Sequence, residues 1–111
     1  MQILGLKNCD TCRNALKELS AAGYDAAMRD VRDQPLSHSE IAALVAVFGD
    51  TLVNRRSATW RGLSESERAL DAAEIITRYP VVMKRPVIFK AGTPYLGWGR
   101  DTQMAVGIRP D

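Results

Sequence analysis

The pair Cys9 and Cys12, spaced C-x-x-C, constrains this chain more than any other feature, because it falls where one hydrophobic pattern gives way to another. Before it, Gln2 to Leu6 reads Q-I-L-G-L, a short apolar run that fits a buried strand. After it, Ala15, Leu16, Leu19 and Ala22 recur at helical spacing while Asn14, Lys17 and Glu18 face away. Gly23 then supplies the stop, being cheap in a left-handed cap. The cysteines therefore sit at a strand-to-helix junction, with Cys9 at or just before the helix and Cys12 in its first turn. A closed structural zinc site needs four ligands, and the chain offers these two thiols and His38. A disulfide closing so short a loop adds little stability. Redox chemistry is the main reading that remains; a metal shared between subunits, or two small buried hydrophobes, are the alternatives.

Thiol chemistry depends on the thiolate, and a free cysteine with a pKa near about 8.5 is mostly protonated at neutral pH. Unpaired N–H groups at a helix start favour an anionic sulfur. In a C-x-x-C at such a start the first cysteine gains most, so Cys9 is the expected nucleophile and Cys12 the candidate resolving thiol. Lys7 and Arg13 can add to the effect, and Asp10 can oppose it. His38, within the first turn of a capped helix, reads as a solvated side chain.

The remaining pattern is α/β. Tyr24 to Val31 reads as a second strand, weak in propensity, and Gln34-Pro35 ends it. Ser37 to Glu40 is a capping box opening a helix through Phe48, with Ile41, Leu44, Val45 and Phe48 on one face. A second capping box, Ser64 to Glu67, opens a helix expected to run toward Tyr79, where Pro80 limits it. Between them Leu52 to Leu63 is rich in arginine. Val87-Ile88-Phe89 and Pro94-Tyr95-Leu96 flank a Gly-containing turn and read as a hairpin. Asp101 or Thr102 is the expected cap of a last helix through Val106. The order β-α-β-α…α-β-β-α predicts an α/β sandwich whose first two strands are parallel across a helical crossover.

At 111 residues the chain fits one domain, and 46% hydrophobic with 25% charged residues is a globular balance. A net charge of +2 lacks the strongly basic footprint of a dedicated nucleic-acid binder. No apolar run approaches the roughly 18 residues of a membrane helix. The N-terminal MQILGLKNCD has no charged-then-apolar signal layout, so a cytoplasmic location with reduced thiols is expected. Of the 15 cations only Lys7, Lys17, Lys84 and Lys90 are lysines. Arginine suits bidentate contact with carboxylates and oxyanions, so Arg55, Arg56 and Arg61 beside Trp60, with Arg85 and Arg100 bordering the hairpin, read either as an anion site or as a solvated face. Trp60 and Trp98 can stack on arginines, but core packing is the expectation for each.

Four blocks together, Lys7-Asn8-Cys9-Asp10-Thr11-Cys12-Arg13, Asn54-x-Arg56-Ser57-x-x-Trp60-Arg61, Lys84-Arg85-Pro86-Val87-Ile88 and Gly97-Trp98-Gly99-Arg100, resemble the arsenate reductase ArsC/Spx/YffB family, nearest its YffB-like branch. The resemblance covers nearly the whole chain. It implies a thioredoxin/glutaredoxin-like fold: a mixed four-stranded sheet flanked by helices, in one domain over residues 1–111 with a helical insertion at roughly 37–79. It places Cys9 at the family's catalytic position and implies a cis Arg85-Pro86 bond opposite it. It maps the surrounding arginines to Arg56 (with Arg55 possible), Arg85 and Arg100, and adds Asn8, Thr11 and Arg13 beside the cysteine as substrate-binding residues.

The implied function is a glutathione-linked thiol reductase acting on arsenate or a mixed disulfide, with no bound cofactor or metal and glutathione as co-substrate. Its implied partners are glutathione or glutaredoxin, and the protein is expected to be a monomer without direct nucleic-acid or membrane contact. Where arsenate reductases carry Gly-Thr-Ser-Arg after the cysteine, this chain carries Asp10-Thr11-Cys12-Arg13. The second cysteine instead resembles the C-x-x-C switch of Spx-type regulators. The alternative function is thus a redox switch that binds RNA polymerase or another protein.

Overall fold

In the computed structural model, which describes residues 1–108, the run before the cysteines is strand β1 (Gln2–Gly5), and helix α1 (Asp10–Ala21) starts directly after Cys9. Helix α1 buries Cys12, Ala15 and Leu19, the stripe its period dictates. It closes as a Schellman turn: the N–H of Tyr24 reaches the Leu19 carbonyl at 3.1 Å and that of Gly23 reaches Ser20 at 3.1 Å. Gly23 sits there at φ +93, a conformation open to glycine and costly to most residues. Strand β2 (Ala27–Asp30) then pairs parallel with β1, as expected for two strands joined by a helical crossover.

The chain divides into two compact units, Met1–Asp33 with the segment from Arg85 onward, and Gln34–Lys84. In the first, strands β3 (Val87–Lys90) and β4 (Thr93–Leu96) form the hairpin; β3 runs antiparallel to β1, giving the mixed order β2-β1-β3-β4. Ile3, Ala15, Leu19, Ile88 and Val106 make its core cluster, with Tyr24, Tyr95 and Trp98 packed against it.

In the second unit, α2 (His38–Phe48) begins at the expected capping box: Ser37 Oγ accepts the Glu40 N–H at 3.1 Å and Glu40 Oε1 accepts the Ser37 N–H at 2.8 Å. A short helix α3 (Ala58–Arg61) follows the arginine-rich stretch. The predicted helix from Ser64 toward Tyr79 is divided. Helix α4 (Glu65–Arg68) ends after one turn, and Asp71 starts α5 (Ala72–Arg78) by accepting the Glu74 N–H at 2.9 Å. A carboxylate that caps a new helix start competes with continuing the old one, and Asp71-Ala72-Ala73-Glu74 carried that signal. Helix α2 packs on α5 around Ile41, Leu44, Ile75 and Ile76.

Three smaller expectations are corrected. The second strand is shorter than Tyr24 to Val31, because residues 24–26 complete the exit from α1. The last helix, α6 (Arg100–Ala105), is capped by Gly99 rather than Asp101 or Thr102; Thr102 is buried and its hydroxyl donates to the Leu96 carbonyl at 3.0 Å. Trp60 is only partly buried, and the guanidinium carbons of Arg55 and Arg68 lie 5.6 Å and 5.8 Å from its ring centroid, so it is an arginine platform as well as a packing residue.

Candidate active site

The site starts from the turn that carries the chain out of β1. The Cys9 N–H closes onto the Leu6 carbonyl at 3.1 Å, leaving Lys7 and Asn8 as the central residues. The extended backbone of Cys9 (φ −91, ψ 119) makes it the N-cap of α1, where serine or aspartate would normally place an oxygen. Cys12, three residues on, is fully buried, whereas Cys9 is partly exposed, and both are free thiols. Gly5 makes the room: a Cβ built there would lie 2.5 Å from Cys12 Sγ and 3.1 Å from its Cβ.

The two sulfurs are driven apart electrostatically. For Cys9 burial works against ionisation, but the Cys12 N–H, the Cys12 thiol and the Arg85 guanidinium outweigh it and lower the pKa below the ordinary thiol value. For Cys12 burial dominates, and its hydrogen bond to Cys9 adds to it; the thiol is pushed up to about 11 although the Leu6 N–H pulls the other way. The buried sulfur therefore holds its proton to higher pH and directs it at the exposed one, which is the first of the two to ionise. That is the arrangement an attacking thiolate requires.

Arg85 precedes Pro86, and the Arg85-Pro86 bond is cis as the resemblance implied. Pro86 is fully buried and its carbonyl accepts the Gly97 N–H at 2.8 Å, tying the segment to the loop after β4. That loop is held to α1 by Trp98, whose indole N–H donates to Glu18 at 2.9 Å, and to α6 by Gln103, which donates to the Trp98 carbonyl at 2.9 Å.

The sequence-derived site residues separate into groups. Cys9, Cys12 and Arg85 interact directly, with Pro86 next to Arg85 in the chain. Asn8 lies in the presenting turn and accepts from Arg32 at 3.1 Å. Thr11 is exposed in the first turn of α1. Arg13 is engaged by Asp10 in an exposed i,i+3 ion pair. Arg100 is exposed at the first position of α6, and Arg56 is exposed in the 34–84 unit, its N–H bonded to Asn54. In that unit Asp50, Arg55, Trp60, Arg68 and Asp71 help to line a polar cavity of about 300 Å3.

Sequence reading missed Asp30. This carboxylate, 4% exposed at the end of β2, accepts the Lys7 N–H at 2.9 Å and the Arg32 N–H at 2.8 Å, with the Arg32 guanidinium at 3.3 Å. The Lys7 N–H first, and then both groups of Arg32, hold it well below the usual carboxylate range despite burial. The available signal was an aspartate where a strand approaches its buried end.

Among the described residues no three His, Cys, Asp or Glu side chains are grouped to hold a metal ion, and no helix is long and apolar enough to cross a membrane. Residues 4–107 match the ArsC family model. The chain is 34% identical over 108 residues to an uncharacterised protein of Haemophilus influenzae, covering 93% of this chain and 95% of that one. A solved YffB protein superposes with TM-score 0.86 at 28% identity, covering 95% of this chain and 96% of the other. An arsenate reductase (ArsC) related protein from Brucella melitensis superposes with TM-score 0.74 at 29% identity, covering 94% and 91%. With its thioredoxin-like mixed sheet, a cysteine at the start of α1 and a family match over nearly its full length, the chain belongs to the ArsC family, a thiol-dependent reductase-like family.

Proposed function

We propose that the protein is a glutathione-linked thiol reductase whose preferred substrate is a mixed disulfide. The observation that carries this reading is the opposite shift of two neighbouring thiols: Cys9 lowered and partly exposed, Cys12 raised and buried. In the first step the Cys9 thiolate attacks one sulfur of a disulfide between glutathione and a second thiol. The new bond joins Cys9 to glutathione, the old S–S bond breaks, and the second thiol leaves as thiolate and takes a proton from water. A further glutathione thiolate then attacks the bound glutathione sulfur, returning Cys9 as thiolate and releasing glutathione disulfide. Over the cycle the incoming glutathione is oxidised to the disulfide level and the second thiol is reduced, while the glutathione carried on Cys9 keeps the oxidation level it had in the substrate. In a variant of the second step, Cys12 gives up its proton and attacks Cys9, expelling glutathione and closing an internal disulfide.

Arg85 supports either step by favouring negative charge on Cys9. Asp10, adjacent to the nucleophile in the chain, adds negative charge that disfavours an arsenate dianion, an effect reduced by solvent and by its pairing with Arg13. The test is a glutathione-coupled assay of NADPH consumption with a glutathionylated peptide and with arsenate. The peptide is expected to turn over, and Cys9→Ser to abolish the rate. Turnover of arsenate alone reverses the substrate assignment, and no turnover of either overturns the reading.

A second reading is favoured by the hydrogen bond between the two sulfurs. Two-electron oxidation of such a pair closes a Cys9–Cys12 disulfide, the chemistry of a redox switch that reports to a protein partner. Capture of RNA polymerase in one redox state only, by a chain without reductase turnover, would establish it instead.

A further inference from the structure

Both central residues of the turn that presents Cys9 are gripped by the segment leaving β2. The Lys7 N–H, which a turn leaves without a backbone partner, is taken by Asp30 at 2.9 Å. The Asn8 side chain is taken by Arg32 at 3.1 Å. Arg32 is in turn fixed on Asp30 through its own N–H and its guanidinium. A third tie, Lys7 Nζ to Asp33 at 2.8 Å, is exposed on both sides. None of these side chains is among the groups that act directly on Cys9, which are Cys12 and Arg85.

We propose that Asp30 and Arg32 are positioning residues for Cys9, which set the placement of its sulfur against the Cys12 N–H and Arg85 by clamping Lys7 and Asn8. Burial argues for this role over a stabilising one alone. A carboxylate 4% exposed is costly to desolvate unless every oxygen is bonded, and here the donors come from the Cys9 turn and the residue that holds it. The attraction of the Cys12 N–H and Arg85 for an anionic sulfur falls with distance, so a turn released by a few tenths of an ångström weakens what favours the anion. The proposal concerns the reactivity of Cys9 itself. It stands or falls independently of the reductase reading, since a fast thiolate without turnover leaves it intact.

The test measures the second-order rate of Cys9 alkylation by iodoacetamide between pH 5 and 10, with peptide mass spectrometry to separate Cys9 from Cys12. Arg32→Met is the primary variant, because Arg32 lies at the surface with its side chain 43% exposed, and its loss leaves the core in place. It is expected to slow alkylation at pH 7 about threefold to tenfold and to move the midpoint upward. Asn8→Ala removes the same grip from the other side, so it is expected to show the same direction, with the double variant no slower than the slower single one. Lys7→Met, which keeps the N–H bonded to Asp30, is expected to change the rate by less than twofold. The charged groups near the turn, Lys7, Asp10, Arg13, Asp30, Arg32, Asp33 and Arg85, are unchanged in Asn8→Ala. An upward midpoint in that variant therefore reports geometry and not lost charge. An unchanged rate and midpoint in both Arg32→Met and Asn8→Ala, with native circular dichroism, overturns the proposal, as does full additivity in the double variant.

Discussion

The turn that presents Cys9 and the arginine-rich stretch around Trp60 use similar side chains under opposite conditions. In the turn, Arg32 is directed by a buried carboxylate onto Asn8, and the Lys7 backbone is bonded to that same carboxylate. Around Trp60, Arg55 and Arg68 lie over an aromatic face at 5.6 Å and 5.8 Å, and Arg68 also bonds the carbonyls of Trp60 and Arg61 at 3.3 Å and 2.8 Å. The first arrangement is anchored by a group that cannot afford to lose its partners; the second is screened by water and rests on weak attractions. Counting arginines in the sequence points to the second region. The buried carboxylate makes the first one chemically consequential.

The largest expected effect breaks the anchored side of that contrast. Asp30→Ala leaves the Lys7 and Arg32 N–H groups without their acceptor and the Arg32 guanidinium without its anionic partner, and is expected to destabilise the fold by about 3 kcal/mol, read from urea denaturation. Because the folded-state pKa of Asp30 is depressed, its contribution is fully present above the unfolded carboxylate pKa near about 3.9. It is lost as pH falls through that value toward the folded one. The wild type is therefore expected to lose stability below about pH 4 more steeply than Asp30→Asn.

Next comes the packing beneath the cysteines. Gly5→Ala forces a Cβ to 2.5 Å from Cys12 Sγ, so β1 and α1 must separate; the expected cost is about 2 kcal/mol in urea denaturation. A smaller effect sharpens the electrostatics. Arg85→Met removes a cation and donor from Cys9 and is expected to slow its alkylation at pH 7 about tenfold, or about 1.4 kcal/mol. Cys12 is expected to stay unreactive until pH approaches about 11. Since that thiol is raised in the folded state, its linkage has the opposite sign to that of Asp30. The stability it contributes is present below the ordinary thiol pKa and lost as pH rises toward about 11. The smallest effect is Arg55→Ala, expected to cost about 0.5 kcal/mol or less and to be visible mainly as a change in Trp60 fluorescence.

Much of this architecture was legible in the residues. The Ser37-x-x-Glu40 box, the 15, 16, 19 apolar spacing, Gly23 and the Gly-containing hairpin each express a local rule, satisfied within a few residues of chain, whereas Ala22, the last of the expected stripe, is the exposed C-cap of α1. Where two local rules competed, as at Asp71 inside an apparently continuous helix, reading only the first box missed the break. Cys9 as the more exposed thiol followed in the same way, because a helix N-terminus is a local object.

What the sequence by itself determined, then, is the alternation of elements and the placement of a nucleophilic sulfur at a helix start. Both depend on hydrogen bonds and side-chain periods spanning four residues or fewer. Only the tertiary structure decided which cation meets that sulfur and what holds its turn. Arg85 and Asp30 lie 76 and 21 residues from Cys9 in sequence, and they reach its neighbourhood because β3 and β2 flank β1 in the sheet. Such choices depend on strand pairing and on the cost of burying a charge, neither of which leaves a periodic trace along the chain.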